Sequence, residues 1–235
     1  MRFHPVPLAL LLAAPLLATL PPPLAEPAIS PDGIQIAFVS GADIWIAPIA
    51  GGSARPLVSH PSADSRPIFS PDGARLAFIS DHTGNGDIYV LTITTGLLLR
   101  LTFDDWQDEL SAWSPDSRYV YFSNSSYDIS TAHDVYRVSA DGGTPMPVLA
   151  DRYAGEYFAV PAPHGDELAF VANGENTRKW FRHGHSAKDA SDIYIRRPGP
   201  VYQRHTAPSS THFHKSDNSA ASNLSACGIL IRACE

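Results

Sequence analysis

Between residues 27 and 198 apolar and polar positions alternate with a period of two, in short runs separated by turns that carry proline and glycine. The runs IQIAFVS from Ile34, RLAFIS from Arg75, YVYFSN from Tyr119 and ELAFVA from Glu167 are rich in β-branched and aromatic residues. That composition and period predict half-buried strands. Each run follows a turn motif: Ser30-Pro31-Asp32-Gly33, Ser70-Pro71-Asp72-Gly73, Ser114-Pro115-Asp116-Ser117 and the degraded Ala162-Pro163-His164-Gly165, at spacings of 40, 44 and 48 residues. Proline presets φ and Asp-Gly supplies a left-handed position, so the motif predicts a tight turn between antiparallel strands. A short strand precedes the turn (PAIS, RPIFS, SAWS). An acidic residue opens the strand after the run, at Asp43-Ile44-Trp45, Asp87-Ile88-Tyr89, Asp134-Val135-Tyr136 and Asp192-Ile193-Tyr194. A glycine turn (Gly51-Gly52, Thr95-Gly96, Gly142-Gly143) then leads into a last strand such as ARPLVS or LLLRLTF.

Each unit therefore reads as a four-stranded meander of about 40–45 residues, the period of a propeller blade. One blade cannot bury both faces alone, so neighbours must stack. The predicted class is all-β: a β-propeller of four recognisable blades over residues 26–199, forming an incomplete ring. The loop between second and third strands lengthens along the chain, which is how a propeller elaborates a binding surface on one face.

An acidic residue stands six positions before each of the last three turns: Asp64, Asp108 and Glu156. Its structural role would be to bond backbone amides in the connection between blades. Its functional role would be to line a central channel and bind ligand. The chain carries a net charge of −7 with 44% hydrophobic residues, enough for a core and without the basic stripe that nucleic-acid binding requires. A channel lined by Asp and Glu would prefer cationic or extended polar peptides. Trp106, among Asp104, Asp105, Asp108 and Glu109, is expected to pack against the adjoining blade while the acids face water.

Candidate chemistry is sparse. No nucleophile elbow, phosphate loop or H-E-x-x-H pattern occurs, so no catalytic residue is assigned and no cofactor is expected. His183 and His185, with Asp189 nearby, share one face if extended and could contact a ligand; His212 and His214 repeat the spacing in the tail. The same geometry could hold a metal, but a solvated loop carrying imidazoles is the simpler explanation because no partner that would orient the rings can be named, and no metal is assigned. Two cysteines in the last nine residues exclude a disulfide framework and a cysteine zinc site.

Residues 1–25 read as a signal peptide. Leu8 to Leu20 forms an uncharged run of 13 residues, which fits a leader's apolar core and falls short of the roughly 20 residues that span a bilayer. The expectation is an exported protein, periplasmic or extracellular, with no membrane span after cleavage. From about residue 200 the repeat gives way to a serine- and histidine-rich tail, inside blade four and before its outer strand. Two readings stand: a frame shift or truncation, which a break inside a repeat favours, or a genuine low-complexity terminus on a small four-bladed ring with VYQRHT as its last strand. An unclosed stack would expose strand edges and invite self-association.

The pattern SPDG…(L/I)AF…D(I/V)(Y/W)…GG resembles the WD40-like repeat of TolB-type β-propellers. The resemblance covers residues 27 to about 198. Entry into the repeats directly after the leader, Gly84-Asn85-Gly86-Asp87-Ile88-Tyr89-Val90 with the following RLTFDD run, and the insertion from Asn173-Gly174-Glu175-Asn176 to Trp180-Phe181-Arg182-His183-Gly184-His185 are more similar to the N-terminal propeller of tricorn-like serine peptidases. That resemblance implies a noncatalytic propeller that filters peptides toward a peptidase core lying elsewhere. The partner would be a peptide or protein ligand. The alternative is a stand-alone TolB-like scaffold of an envelope complex. A lyase or sugar-binding propeller, a third class, would need a metal or carboxylate cluster at the channel mouth.

Overall fold

The computed structural model describes residues 22–126, 133–151, 154–174, 192–197 and 202–204. They form four four-stranded antiparallel sheets, each a meander in chain order. Blade one comprises β1 (Ala25–Ile29), β2 (Gln35–Ser40), β3 (Asp43–Pro48) and β4 (Arg55–Val58). Blade two comprises β5 (Asp64–Phe69), β6 (Arg75–Ser80), β7 (Asp87–Thr92) and β8 (Leu98–Arg100). Blade three comprises β9 (Glu109–Trp113), β10 (Tyr119–Asn124), β11 (Asp134–Ser139) and β12 (Met146–Leu149). Blade four comprises β13 (Ala154–Pro161), β14 (Leu168–Gly174), β15 (Asp192–Arg196) and β16 (Tyr202–Arg204). The last strand falls where the sequence pattern lapses. Tyr194 pairs with Arg204 and Arg196 with Tyr202, so Tyr202–Arg204 supplies an outer strand to the fourth sheet.

The turn motif builds itself from local hydrogen bonds. The Gly33 amide donates to the Ser30 carbonyl at 2.9 Å, with Gly33 at φ 71°. The Ser30 hydroxyl donates to Asp32 Oδ1 at 2.5 Å and accepts from the Gln35 amide at 2.9 Å. Asp32 Oδ1 also accepts from the Ile34 amide at 3.0 Å. These bonds, the Ser30 hydroxyl first, hold the Asp32 carboxyl below its ordinary range. Blades two and three repeat the network at Ser70–Asp72 and Ser114–Asp116. Where the third motif replaces glycine, Ser117 takes the left-handed position at φ 59°. The degraded fourth motif keeps only the backbone closure, from the Ala162 amide to the Glu167 carbonyl at 2.9 Å.

Side chains along β6 and β7 divide between two seams, as the strand period demands. Leu76, Phe78, Tyr89 and Leu91 pack with Ala37, Ile44 and Ile46 of blade one. Ala77, Ile79, Ile88 and Val90 pack with Trp113, Val120, Phe122 and Tyr136 of blade three. A third cluster joins Tyr121, Val135 and Leu149 to Leu168, Phe170 and Ala172 of blade four. The core thus consists of three seams between four blades. Asp87, which opens β7, is buried and ion-paired with Arg100 of β8 at 2.9 Å. Among the described residues no seam joins blade four to blade one, and no helix is long and apolar enough to cross a membrane.

Candidate functional site

The first strands of the blades, β1, β5, β9 and β13, stand side by side at the centre of the stack, each against the next. Every one carries a register shift against its second strand. In three of them the residue four positions before the turn is a non-glycine at positive φ: Glu26 at 50°, Arg66 at 51° and Phe158 at 51°. A bulge bends its strand and re-aims a side chain. A left-handed non-glycine costs about 1–3 kcal/mol and persists only where its surroundings over-determine it, commonly at ligand clamps. Pro27 and Pro67 follow the first two bulged residues. Lacking an N–H, proline disrupts a regular ladder and suits a bulge.

The re-aimed groups converge. Glu26 Oε2 accepts a hydrogen bond from the Arg66 amide at 2.5 Å, tying blade one to blade two. The Arg66 guanidinium lies 5.3 Å from the centroid of the Phe158 ring, so blade two reaches blade four. Burial pulls that guanidinium below its ordinary pKa, and the carboxylates of Glu109 and Glu26 oppose the pull. Two carboxylates against one guanidinium leave the cluster net negative. Beside it the Tyr157 ring lies tilted, with its centroid 4.7 Å from that of His133 and 6.3 Å from that of Phe158, extending an aromatic surface. The arrangement offers a cation two carboxylates and a set of π faces.

The three sequence-predicted acids stand close by in equivalent places. Asp64 opens β5, Asp108 directly precedes β9 and Glu156 lies in β13, with exposures of 2%, 0% and 1%. Their backbone amides donate to the carbonyls of Ala42 (2.8 Å), Gly86 (3.1 Å) and His133 (2.7 Å). Each acceptor immediately precedes the third strand of the preceding blade. The acid position therefore ties blade to blade, through its own amide rather than through its carboxylate alone. Asp108 Oδ1 accepts from Asn124 Nδ2 at 2.8 Å, and Glu156 Oε2 from the Asp151 amide at 3.3 Å. Burial raises the carboxyls of Asp108 and Glu156 to about 7 and raises Asp64 as well. These groups are buried, whereas the carboxylates that act on the Arg66 guanidinium are Glu109 and Glu26.

Trp106 belongs to none of the three seam clusters: it is 48% exposed, and its amide donates to Asp104 Oδ1 at 3.1 Å. Nor do all the neighbouring acids face water, since Asp108 is buried. His183 and His185, with Asp189, His212 and His214, lie outside the described residues. Among the described residues no group of three or more His, Cys, Asp or Glu is placed to hold a metal ion. The repeat alignment did not single out Glu26, Arg66, Glu109 and Phe158. A proline inside a predicted strand, at Pro27 and Pro67, was the signal that marks the bulge.

The family model described as the tricorn protease N-terminal beta propeller domain matches residues 21–212. An uncharacterized protein of Agrobacterium fabrum is 33% identical over 86 residues, 37% of this chain and 28% of that protein. Among solved structures, TolB from Acinetobacter baumannii is similar with a TM-score of 0.63 at 21% identity, covering 81% of this chain and 45% of TolB. The β-propeller domain of the Trilobed protease from Pyrococcus furiosus, described as having an open velcro topology, is similar with a TM-score of 0.55 at 15% identity, covering 76% of this chain and 56% of that one. The chain thus spans less than a third of the curated relative and less than half of TolB. At these identities the two structures speak for the fold.

Proposed function

The chain belongs to the tricorn protease N-terminal β-propeller family, and from that premise we propose that it is a noncatalytic module that binds a peptide or protein segment at its converging first strands. In this reading it is the substrate-gating part of an exported tricorn-like serine peptidase, with residues 1–25 as its leader. The observation that carries the reading is the cluster of Glu26, Arg66, Glu109 and Phe158. It combines backbone held at positive φ in three blades with a net negative charge beside aromatic faces. Such a cluster favours a cationic or extended polar segment: lysine or arginine side chains meet the carboxylates, and their stems lie along the rings.

Isothermal titration with otherwise matched cationic, neutral and acidic peptides, at low and high salt, tests it. The expected result is preference for the cationic peptide, weakened by salt and by Glu109→Gln. Preference for the acidic peptide, or affinity indifferent to salt, contradicts the reading. Hydrolysis of the peptides by the purified chain contradicts its noncatalytic part. The TolB-like scaffold reading is supported by the likeness of fold, and capture of a lipoprotein partner from envelope extracts, without peptide binding, would favour it instead.

A further inference from the structure

In blade two, Arg66 and Arg100 both lie over phenylalanine rings, and they are held in opposite ways. Arg100 stands 4.6 Å from the Phe103 centroid, is ion-paired with buried Asp87 at 2.9 Å, and donates from Nε to the Thr102 carbonyl at 2.7 Å. Arg66 stands 5.3 Å from the Phe158 centroid, but among the described residues its guanidinium makes no ion pair and no hydrogen bond. Its bond to Glu26 Oε2 comes from the backbone amide instead. A guanidinium carries five donors. Those of Arg100 are committed to protein acceptors, while Arg66 is retained only by a ring face and by the field of Glu109 and Glu26.

The place that Arg66 holds is a costly one for it. Its backbone sits in the left-handed region at φ 51°, and burial works against its charge. Glycine would avoid the first cost and a neutral side chain the second. The contacts that Arg66 makes, an aromatic face between two carboxylates, are those that a ligand's lysine or arginine would make. Two like charges repel when they share one ring face and the same carboxylates. Either the resident cation leaves or the incoming one binds weakly.

We propose that Glu26, Glu109 and Phe158 form a cation subsite that Arg66 occupies as a built-in competitor, and that Arg66 swings out when a ligand's guanidinium or ammonium enters. The proposal rests on the ligand reading above and adds its regulation. Arg66 sets the threshold of affinity, so weakly cationic segments are refused and strongly cationic ones are admitted. Removing its side chain leaves both carboxylates unopposed. The bond from the residue 66 amide to Glu26 survives that change, because it belongs to the backbone.

Arg66→Gly in the full chain tests it, since glycine takes the left-handed backbone without strain. In thermal unfolding, millimolar ethylguanidinium chloride should raise the Tm of Arg66→Gly by about 3 °C or more over a sodium chloride control, and neutral ethylurea should not. In calorimetric titration, a lysine- or arginine-rich peptide should bind Arg66→Gly at least about tenfold more tightly than the native chain. Arg66→Lys, which keeps a cation in place, should gain less. If Arg66→Gly does not fold, Arg66→Asn replaces it, because asparagine also tolerates the left-handed region. No stabilisation by ethylguanidinium, equal stabilisation by ethylurea, or a peptide gain that Arg66→Lys matches overturns the proposal. A cationic peptide that binds the native chain and Arg66→Gly alike overturns it too, and leaves the ligand reading intact. Stabilisation by ethylguanidinium without peptide binding to either chain upholds the subsite and overturns the ligand reading.

Discussion

Blades two and three differ from blades one and four in burial far more than in sequence. In β6 and β10 five of six positions are buried, whereas in β2 only Ala37 is, and no residue of β15 is. Yet β2, β6 and β14 all read as alternating apolar runs around an Ala-Phe pair. The inner blades are buried because each is flanked on both faces, whereas each end blade has one neighbour among the described residues. A blade's second strand does not own its core; the neighbouring blade supplies half of it. Stability should then be distributed unevenly along the stack.

The largest test exchanges equivalent phenylalanines. Phe122 is 0% exposed in the seam between blades two and three, while Phe38 is half-buried on a face of blade one that has no neighbouring blade among the described residues. Phe122→Ala should cost about 3–5 kcal/mol by urea unfolding and Phe38→Ala about 1 kcal/mol. Equal losses would mean that the face of blade one is covered in solution.

The seams should also titrate where blade one cannot, since Leu24 stands in place of the acid. Asp108 and Glu156, raised by burial to about 7, hold their protons in the folded state across a range where the unfolded chain has released them. Their stabilising contribution is full below the ordinary carboxyl range and is lost as pH rises from there to about 7. The fall should amount to roughly 2–4 kcal/mol per group. Asp108→Asn, which can still accept from Asn124, should flatten its share of the slope. Turn acids such as Asp32 and Asp116, held below their ordinary range, act in the opposite sense and lose their contribution only as pH falls into strong acid. Thermal unfolding between pH 4 and 8 separates the two classes.

Smaller effects grade the seam between blades two and three. Trp113 Nε1 donates to the Ile68 carbonyl at 3.0 Å, and Trp113→Phe should cost about 1–2 kcal/mol by leaving that carbonyl unmet. Arg75 reaches Asp141 at 2.8 Å, but Asp141 is 82% exposed. Arg75→Ala should therefore cost under about 1 kcal/mol, and the loss should vanish in high salt. A charge effect larger than the Trp113 effect would contradict a seam held by apolar packing.

What was legible in the sequence was what is made locally. The turn motif closes on its own Ser and Asp within a few residues, so its recurrence marked every blade and every strand order. Blade four was the exception: its turn lost the serine, and its outer strand Tyr202–Arg204 has no distinctive residues, so pairing with β15 alone defines it. The recurrent acid was visible too, but spacing cannot say whether a carboxylate faces solvent or a seam. Burial decided that for Asp64, Asp108 and Glu156. The converging cluster escaped notice because Glu26, Arg66 and Phe158 are chemically unrelated and share only a backbone conformation. Pro27 and Pro67 hint at that conformation in two blades, and blade four has Ala159 at the corresponding place.

The central claim is that ligand meets the chain at these first strands. A lysine-rich peptide bearing a photoreactive residue, cross-linked to the full chain and mapped by mass spectrometry, tests it directly. The account predicts adducts on β1, β5, β9 and β13 around Glu26, Arg66, Glu109 and Phe158, competed away by unlabelled peptide. Competable adducts confined to the outer surface, at Leu97–Leu99 or Met146, would contradict it.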